Sequence, residues 1–147
     1  MSEHHLKSII PKDAWQLMQD NPKAVLIDIR SEMEHLFIGH PKGSIHIPWI
    51  DEPDWRINPN FSKQVRRVVL GGIIADYEDQ EHPVEGAPIL LICRSGVRSK
   101  EAGKLLLKEG FNNIYNVVDG FEGPLDAQHH RSSVAGWRFD GLPWEQY

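Results

Sequence analysis

The residues best suited to chemistry in this chain of 147 residues are consecutive: Cys93-Arg94-Ser95-Gly96-Val97-Arg98-Ser99. They follow the apolar run Pro88-Ile89-Leu90-Leu91-Ile92, which reads as a buried strand, and they precede a segment of helical pattern. The chain's one cysteine therefore stands at a strand-to-helix turn. Arg94 and Arg98 flank it, Gly96 lets the backbone curl, and Ser95 and Ser99 offer hydroxyls. A loop of this kind aims several N–H groups at one point. At a helix N-terminus, with two guanidinium groups nearby, that arrangement favours an anion, and a thiolate over a thiol. The chemistry expected is nucleophilic attack by Cys93 on an anionic substrate. A lone cysteine is more often a small buried hydrophobe. Core filling would continue the apolar pattern, whereas two arginines, two serines and a glycine follow Cys93.

Several elements must position that loop. Leu6 to Ile10 reads as a short edge strand, and Pro11 opens a helix in which Asp13 suits the N-terminal dipole and Ala14, Leu17 and Met18 share a face with Trp15 beside it. Ala24 to Ile29 is a second apolar strand. Asp28 near its end, just before Arg30, is expected to be a structural ion pair, since a buried carboxylate is tolerated chiefly when paired. Ser31 and Glu34 have capping-box spacing for a short helix, and Gly39 to Gly43 reads as a turn. Ser44 to Pro48 alternates as a third strand with Ile45 and Ile47 on one face, His46 being an ordinary, partly exposed histidine. Trp49 to Pro59 reads as an irregular loop packed on the core, its tryptophans secondary candidates for a cleft wall. Phe61 to Ile74 patterns as a helix with Lys63, Arg66 and Arg67 on the solvated side, and Tyr77 to Gly86 as an exposed acidic connection. After the cysteine loop a helix runs to about Glu109, with Ala102, Leu105 and Leu106 inward, Gly103 at a close approach and Gly110 as terminator. Asn113 to Val118 is the last strand, and a glycine-rich turn follows.

Strands alternating with helices imply an α/β domain with a parallel sheet buried on both faces. Ligands in such sheets sit beyond the carboxyl ends of the strands, where one mouth would gather Cys93, Asp28 and the Pro48-Trp49 loop. A chain of this length with 40% hydrophobic residues is expected to form a single domain, residues 1–147. Its formal net charge of −5 gives no general attraction to nucleic acid or anionic membranes. No apolar run approaches the ~20 residues of a membrane span, and the N-terminus lacks a basic region followed by an apolar one. A cytoplasmic protein is expected. One cysteine excludes an internal disulfide and a multi-cysteine zinc site.

In order along the chain stand Leu26-Ile27-Asp28-Ile29-Arg30, Gly39-His40, Ser44-Ile45-His46-Ile47-Pro48, Cys93 to Ser99, Val117-Val118-Asp119-Gly120-Phe121, Gly136-Trp137 and Gly141-Leu142-Pro143-Trp144. With this combination the chain resembles the single-domain rhodanese-like sulfurtransferases over nearly its full length. The resemblance implies a central five-stranded parallel sheet with helices on both faces. It implies a catalytic Cys93 that takes a sulfane sulfur from a donor such as thiosulfate. It also implies a loop of amides, carried onto Arg94, Ser95, Gly96, Val97, Arg98 and Ser99, that holds the donor's sulfonate and the persulfide, with Asp28 and Arg30 in support. No metal or other cofactor is implied. Two departures stand out. Leu125 to Ala135, with His129, His130 and Arg131, separates the glycine-rich turn from Gly136-Trp137 and is expected to be a long turn rather than a lid or partner surface. Glu32 and Glu34 stand where two-domain relatives carry a further arginine.

The mechanism expected is two displacements at one sulfur, in which Cys93 becomes a persulfide and cyanide or a thiol, small or on a protein acceptor, removes the sulfur. Two alternatives share the cysteine loop: a phosphatase or arsenate reductase, and a non-catalytic rhodanese-like module that binds a protein partner. Against the phosphatase, four residues separate Cys93 from Arg98 where phosphatase loops of the cysteine class place five.

Overall fold

Four-residue segments rich in leucine, valine and isoleucine supply the inner strands. The computed structural model describes residues 5–51, 53–69 and 87–147. In it β1 (Lys7–Ile9), β2 (Val25–Asp28), β4 (Ile45–His46), β7 (Ile89–Ile92) and β8 (Ile114–Val117) form one sheet in the order β1-β8-β7-β2-β4. All four pairings are parallel. Between them lie α1 (Pro11–Asp20), β3 (His40–Pro41), a hairpin of β5 (Ile50–Asp51) and β6 (Arg56–Ile57), and α2 (Phe61–Val69). Helix α3 (Arg98–Lys108) joins β7 to β8, and β9 (Trp144–Glu145) pairs antiparallel with β3.

Side chains alternate across a strand, so the two faces of the sheet bury different sets. Ile27, Ile29, Ile89, Leu91 and Cys93 pack with Phe61 and Val65 of α2 and with Ala102 and Leu106 of α3. On the other face Leu26, Leu90, Ile92 and Val117 pack with Ala14 of α1 and with Phe121 and Trp137 from the C-terminal segment. Helices thus cover both faces, as the α/β reading requires. Each fully buried Leu or Ile contributes about 1.5–3 kcal/mol, so the inner strands carry much of the stability. They end together at the edge where Cys93 follows β7. Helix α1 starts with proline in its first turn, and Trp15, Leu17 and Met18 pack on the second face as its pattern implies.

The structure corrects several expectations. Ile45 and Ile47 do not share one environment, because β4 is an edge strand: Ile45 is exposed while Ile47 is buried. The Trp49–Pro59 region is not wholly irregular, since it contains the β5–β6 hairpin. Arg66 is not on a solvated face. Its Nη2 donates to the Glu109 carbonyl at the end of α3 (2.8 Å) and its guanidinium lies over Phe111, satisfying a helix C-terminus from another element. The capping box of Ser31 and Glu34 is made reciprocally, yet a wide π-helical turn follows it over Glu34–Ile38. The continuation of α2 to Ile74 and the acidic connection Tyr77 to Gly86 lie outside the described residues. Among the described residues no helix is long and apolar enough to cross a membrane.

Candidate active site

Cys93 ends the central strand, and its loop is held from below and from the side. The Phe121 amide donates to the Cys93 carbonyl (2.8 Å), and the Glu122 and Gly123 amides to the Arg94 carbonyl (2.9 and 3.2 Å). The glycine-rich turn after β8 therefore carries the cysteine loop. Gly96 has φ +97, a left-handed region that side chains seldom adopt, so the curl there depends on glycine. Its N–H points at Cys93 Sγ (3.1 Å), and so does the N–H of Ser99 in the first turn of α3 (3.4 Å). First-turn amides have no intrahelical acceptor, so the sulfur supplies one.

Ser99 Oγ lies 3.2 Å from Sγ, but its proton is engaged elsewhere: it donates to Asn116 Oδ1. The orientation of Asn116 is set because its Nδ2 donates to the Gly96 carbonyl (3.2 Å). The two amides, not the hydroxyl, are the donors to sulfur in this arrangement. Asn116 thus ties both sides of the loop to β8. Nothing in its local sequence marks it beyond a polar residue in an apolar strand, and the reading of the sequence passed over it.

Cys93 is 1% exposed, deeper than the partly exposed turn expected of a reactive cysteine. Arg94 and Val97 are exposed, Ser95 and Arg98 half-buried, Gly96 and Ser99 buried. A cleft of about 550 Å³ borders the loop, lined by Arg94, Arg98 and Arg131, by Glu34 and Glu122, and by the apolar Met33, Ile38, Ile50 and Trp55. Of the two tryptophans in the 49–59 region, Trp55 walls the cleft. Trp49 is buried against Phe61 in the core.

Arg98 does not point free into this space. Its Nη1 and Nη2 donate to the two oxygens of Glu34, 3.0 Å each, a bidentate pair spanning two crossovers. Burial opposes charge on both partners. Even so, Arg98 holds the Glu34 carboxyl below its usual range, and Glu34 raises the Arg98 guanidinium above its own. Arg94 and Arg131 form no ion pair among the described residues.

Asp28 and Arg30 lie beneath the mouth and not on it, both wholly buried. Asp28 accepts from the Arg30 amide (3.1 Å), from Arg30 Nε (2.9 Å) and Nη2 (2.7 Å), and meets His35 Nδ1 at 2.9 Å. Burial pushes its carboxyl up, but the bonds from His35 and Arg30 and the guanidinium charge outweigh that and hold it well below the usual carboxylate range. Arg30 also covers the Phe121 ring, 4.5 Å from its centroid. His35 stacks between His40 and His46, with centroids 4.0 and 4.3 Å away, and His46 Nε2 donates to the Arg30 carbonyl (2.7 Å). Among the described residues no group of three His, Cys, Asp or Glu side chains is placed to hold a metal ion.

This loop and sheet recur in known proteins. A family model described as "Rhodanese-like domain" matches residues 10–126. The chain belongs to the rhodanese-like domain family. A crystal structure of Rv0390 from M. tuberculosis superposes with a TM-score of 0.77 at 36% identity, covering 97% of this chain and 99% of that one. A Glaesserella parasuis protein named thiosulfate sulfurtransferase GlpE is 30% identical over 121 residues, 82% of this chain and 88% of its own length. The solution structure of a polysulfide-sulfur transferase homodimer from Wolinella succinogenes superposes with a TM-score of 0.55 at 25% identity, covering 97% of this chain and 80% of that one. The rhodanese-like assignment accounts for the five-stranded parallel sheet and puts the chain in a sulfurtransferase family.

Proposed function

We propose that this rhodanese-like protein is a sulfurtransferase that moves a sulfane sulfur from thiosulfate or a related donor, through a Cys93 persulfide, to cyanide or a thiol. The observation that carries this reading is the setting of Sγ: at the end of the central strand, accepting two backbone amides, beneath a loop that borders a cleft with Arg94 on its wall. Cys93 thiolate attacks the outer sulfur of thiosulfate, the S–S bond of the donor breaks, and its electron pair leaves with sulfite. The loop amides and Arg94 meet the negative charge that passes through the site. Attack by cyanide or a thiolate on the outer sulfur of the persulfide then returns the electron pair to Cys93 Sγ. Sulfite leaves the first displacement and the Cys93 thiolate the second, both as stable anions, so neither leaving group needs to be protonated. A small sulfur donor, an acceptor thiol that a protein could also supply, no part for nucleic acid, membrane or cofactor, and a cytoplasmic setting all fit a lone unpaired thiol in a chain of negative net charge.

Phosphoryl or arsenate chemistry with the same loop fits less well. The loop is one residue short of a phosphatase cradle, and the arginine that would clamp an oxyanion is held bidentate by Glu34. Mass spectrometry after exposure to thiosulfate is the test. A one-sulfur gain that is absent in Cys93→Ser and discharged by cyanide is the expected result. Release of phosphate from an aryl phosphate, with no sulfur gain, would overturn the reading.

A further inference from the structure

The cleft beside the cysteine loop is larger and more differentiated than thiosulfate requires. At about 550 Å³ it is the size of sites that hold whole organic ligands, ~300–1,000 Å³. Part of its lining is apolar, with Met33, Ile38, Ile50 and Trp55. Trp55 has φ +55, a left-handed conformation that is an outlier for a bulky residue, and it stands 56% exposed facing this space. The charged part of the lining is Arg94, Arg98 and Arg131 with Glu34 and Glu122. Arg98 is already paired with Glu34, and Glu122 faces Arg138 at 3.9 Å. Among the described residues, Arg94 and Arg131 form no ion pair.

Arg131 comes from the 125–135 stretch, and that stretch is built rather than slack. Its ends meet back to back: a Cβ on Gly123 would lie 1.8 Å from the Ala135 carbonyl oxygen, and one on Gly136 would lie 2.8 Å from the Gly123 nitrogen. Inside it, the Asp126 carboxylate accepts the amides of Gln128 (2.8 Å) and His130 (2.9 Å) and the Ser133 hydroxyl. The Ser132 amide donates to the Glu122 carbonyl (2.6 Å), and Arg131 Nη1 to the Gly123 carbonyl (2.7 Å). Glu122 and Gly123 are the residues whose amides hold the Arg94 carbonyl. Arg131 is therefore registered, through two turns, against the loop that carries Cys93.

We propose that this cleft binds the sulfur acceptor, and that the acceptor is an organic thiol with an apolar body and a carboxylate or sulfonate. Arg131 and Arg94 take the anion, the Trp55 side takes the body, and the thiol is delivered to the cysteine loop. This rests on the sulfurtransferase reading. In the step itself the acceptor thiolate bonds to the outer sulfur of the Cys93 persulfide and the bond from that sulfur to Sγ breaks. The electron pair stays on Sγ as thiolate, and the acceptor leaves carrying the outer sulfur as its own persulfide. No oxidant or reductant is consumed.

Binding is tested on the whole protein by calorimetry with two unreactive probes, 3-(methylthio)benzoate and the neutral 3-(methylthio)benzamide. The acid is expected to bind about tenfold or more tightly than the amide, the scale of one charge-assisted hydrogen bond. Arg131→Gln keeps a donor for the Gly123 carbonyl while removing the charge, and should abolish that preference. Arg131→Lys should retain most of it, and Trp55→Ala should weaken both probes. With the persulfide formed, 3-mercaptobenzoate should discharge it faster than 3-mercaptobenzamide, again by a ratio that collapses in Arg131→Gln. Equal affinity for acid and amide, or a preference untouched by Arg131→Gln, would overturn the inference alone. An acid preference in a protein that gains no sulfur from thiosulfate would overturn the acceptor assignment together with the sulfurtransferase reading.

Discussion

Two carboxylate–arginine pairs sit within the same end of the sheet and do different work. Asp28 and Arg30 are wholly buried, locked to each other by three hydrogen bonds and to His35 and Phe121 around them. Glu34 and Arg98 have comparable geometry but remain partly open to the cleft, with side chains 17% and 26% exposed. The first pair has no access to substrate. It joins the end of β2 to the chain that leads into the cleft wall. The second is at the site and ties the far end of the cysteine loop to the Ser31–Glu34 capping box. Burial decides between the roles: a charge with no water must keep its partner, whereas a charge at a cleft wall can exchange its partner for a ligand.

The largest effect is expected at Asp28. Asp28→Asn leaves the Arg30 guanidinium buried and uncompensated, so unfolding in urea should show a loss of about 3–5 kcal/mol. A loss below about 1 kcal/mol would mean that the cluster relaxes and that Arg30 finds water.

Asn116 is neutral but buried and reaches the loop from the sheet side. Asn116→Ala removes the acceptor of the Ser99 hydroxyl and the donor to the Gly96 carbonyl, costing about 1–3 kcal/mol. Sulfur transfer should fall chiefly in kcat, because the two amides that face Sγ lose their support. Steady-state kinetics with thiosulfate and cyanide separates that from a change in KM alone, which would argue for a role in binding.

Glu34→Gln should cost less, about 1 kcal/mol, because the pair is partly solvated. It should also free the Arg98 guanidinium for the donor, so KM for thiosulfate should fall. An increase in KM would show instead that the pair is needed to shape the anion site.

The pH dependence sharpens the contrast in one direction. Folding holds the Asp28 and Glu34 carboxyls below their ordinary values of 3.8 and 4.5. The unfolded chain therefore takes up these protons first. The stability they contribute is complete above those values and is lost as acid carries the pH down through them. Melting temperature should be flat toward neutral pH as far as these two groups are concerned and fall below about pH 4.5. That fall should be shallower in Asp28→Asn measured against its own neutral value.

What the sequence determined by itself is local or periodic. The run Pro88 to Ile92 followed by a polar, glycine-containing loop marks a strand and a reactive turn, because side-chain alternation and backbone freedom are properties of neighbours. The same holds for Pro11 at the start of α1, the Ser31–Glu34 box and the Asp28–Arg30 pair, whose partners are two or three residues apart. The ordered set of motifs carried the family. Tertiary structure alone decided that Arg98 pairs with Glu34, 64 residues away, that Asn116 steadies Ser99 from 17 residues on, and that Arg66 serves the end of α3 across 43. It alone placed Trp55 and Arg131 on the same cleft. Such contacts depend on how crossovers return to the sheet and on which face of a strand a side chain leaves. Those distances close only after the core has packed, and no spacing along the chain records them.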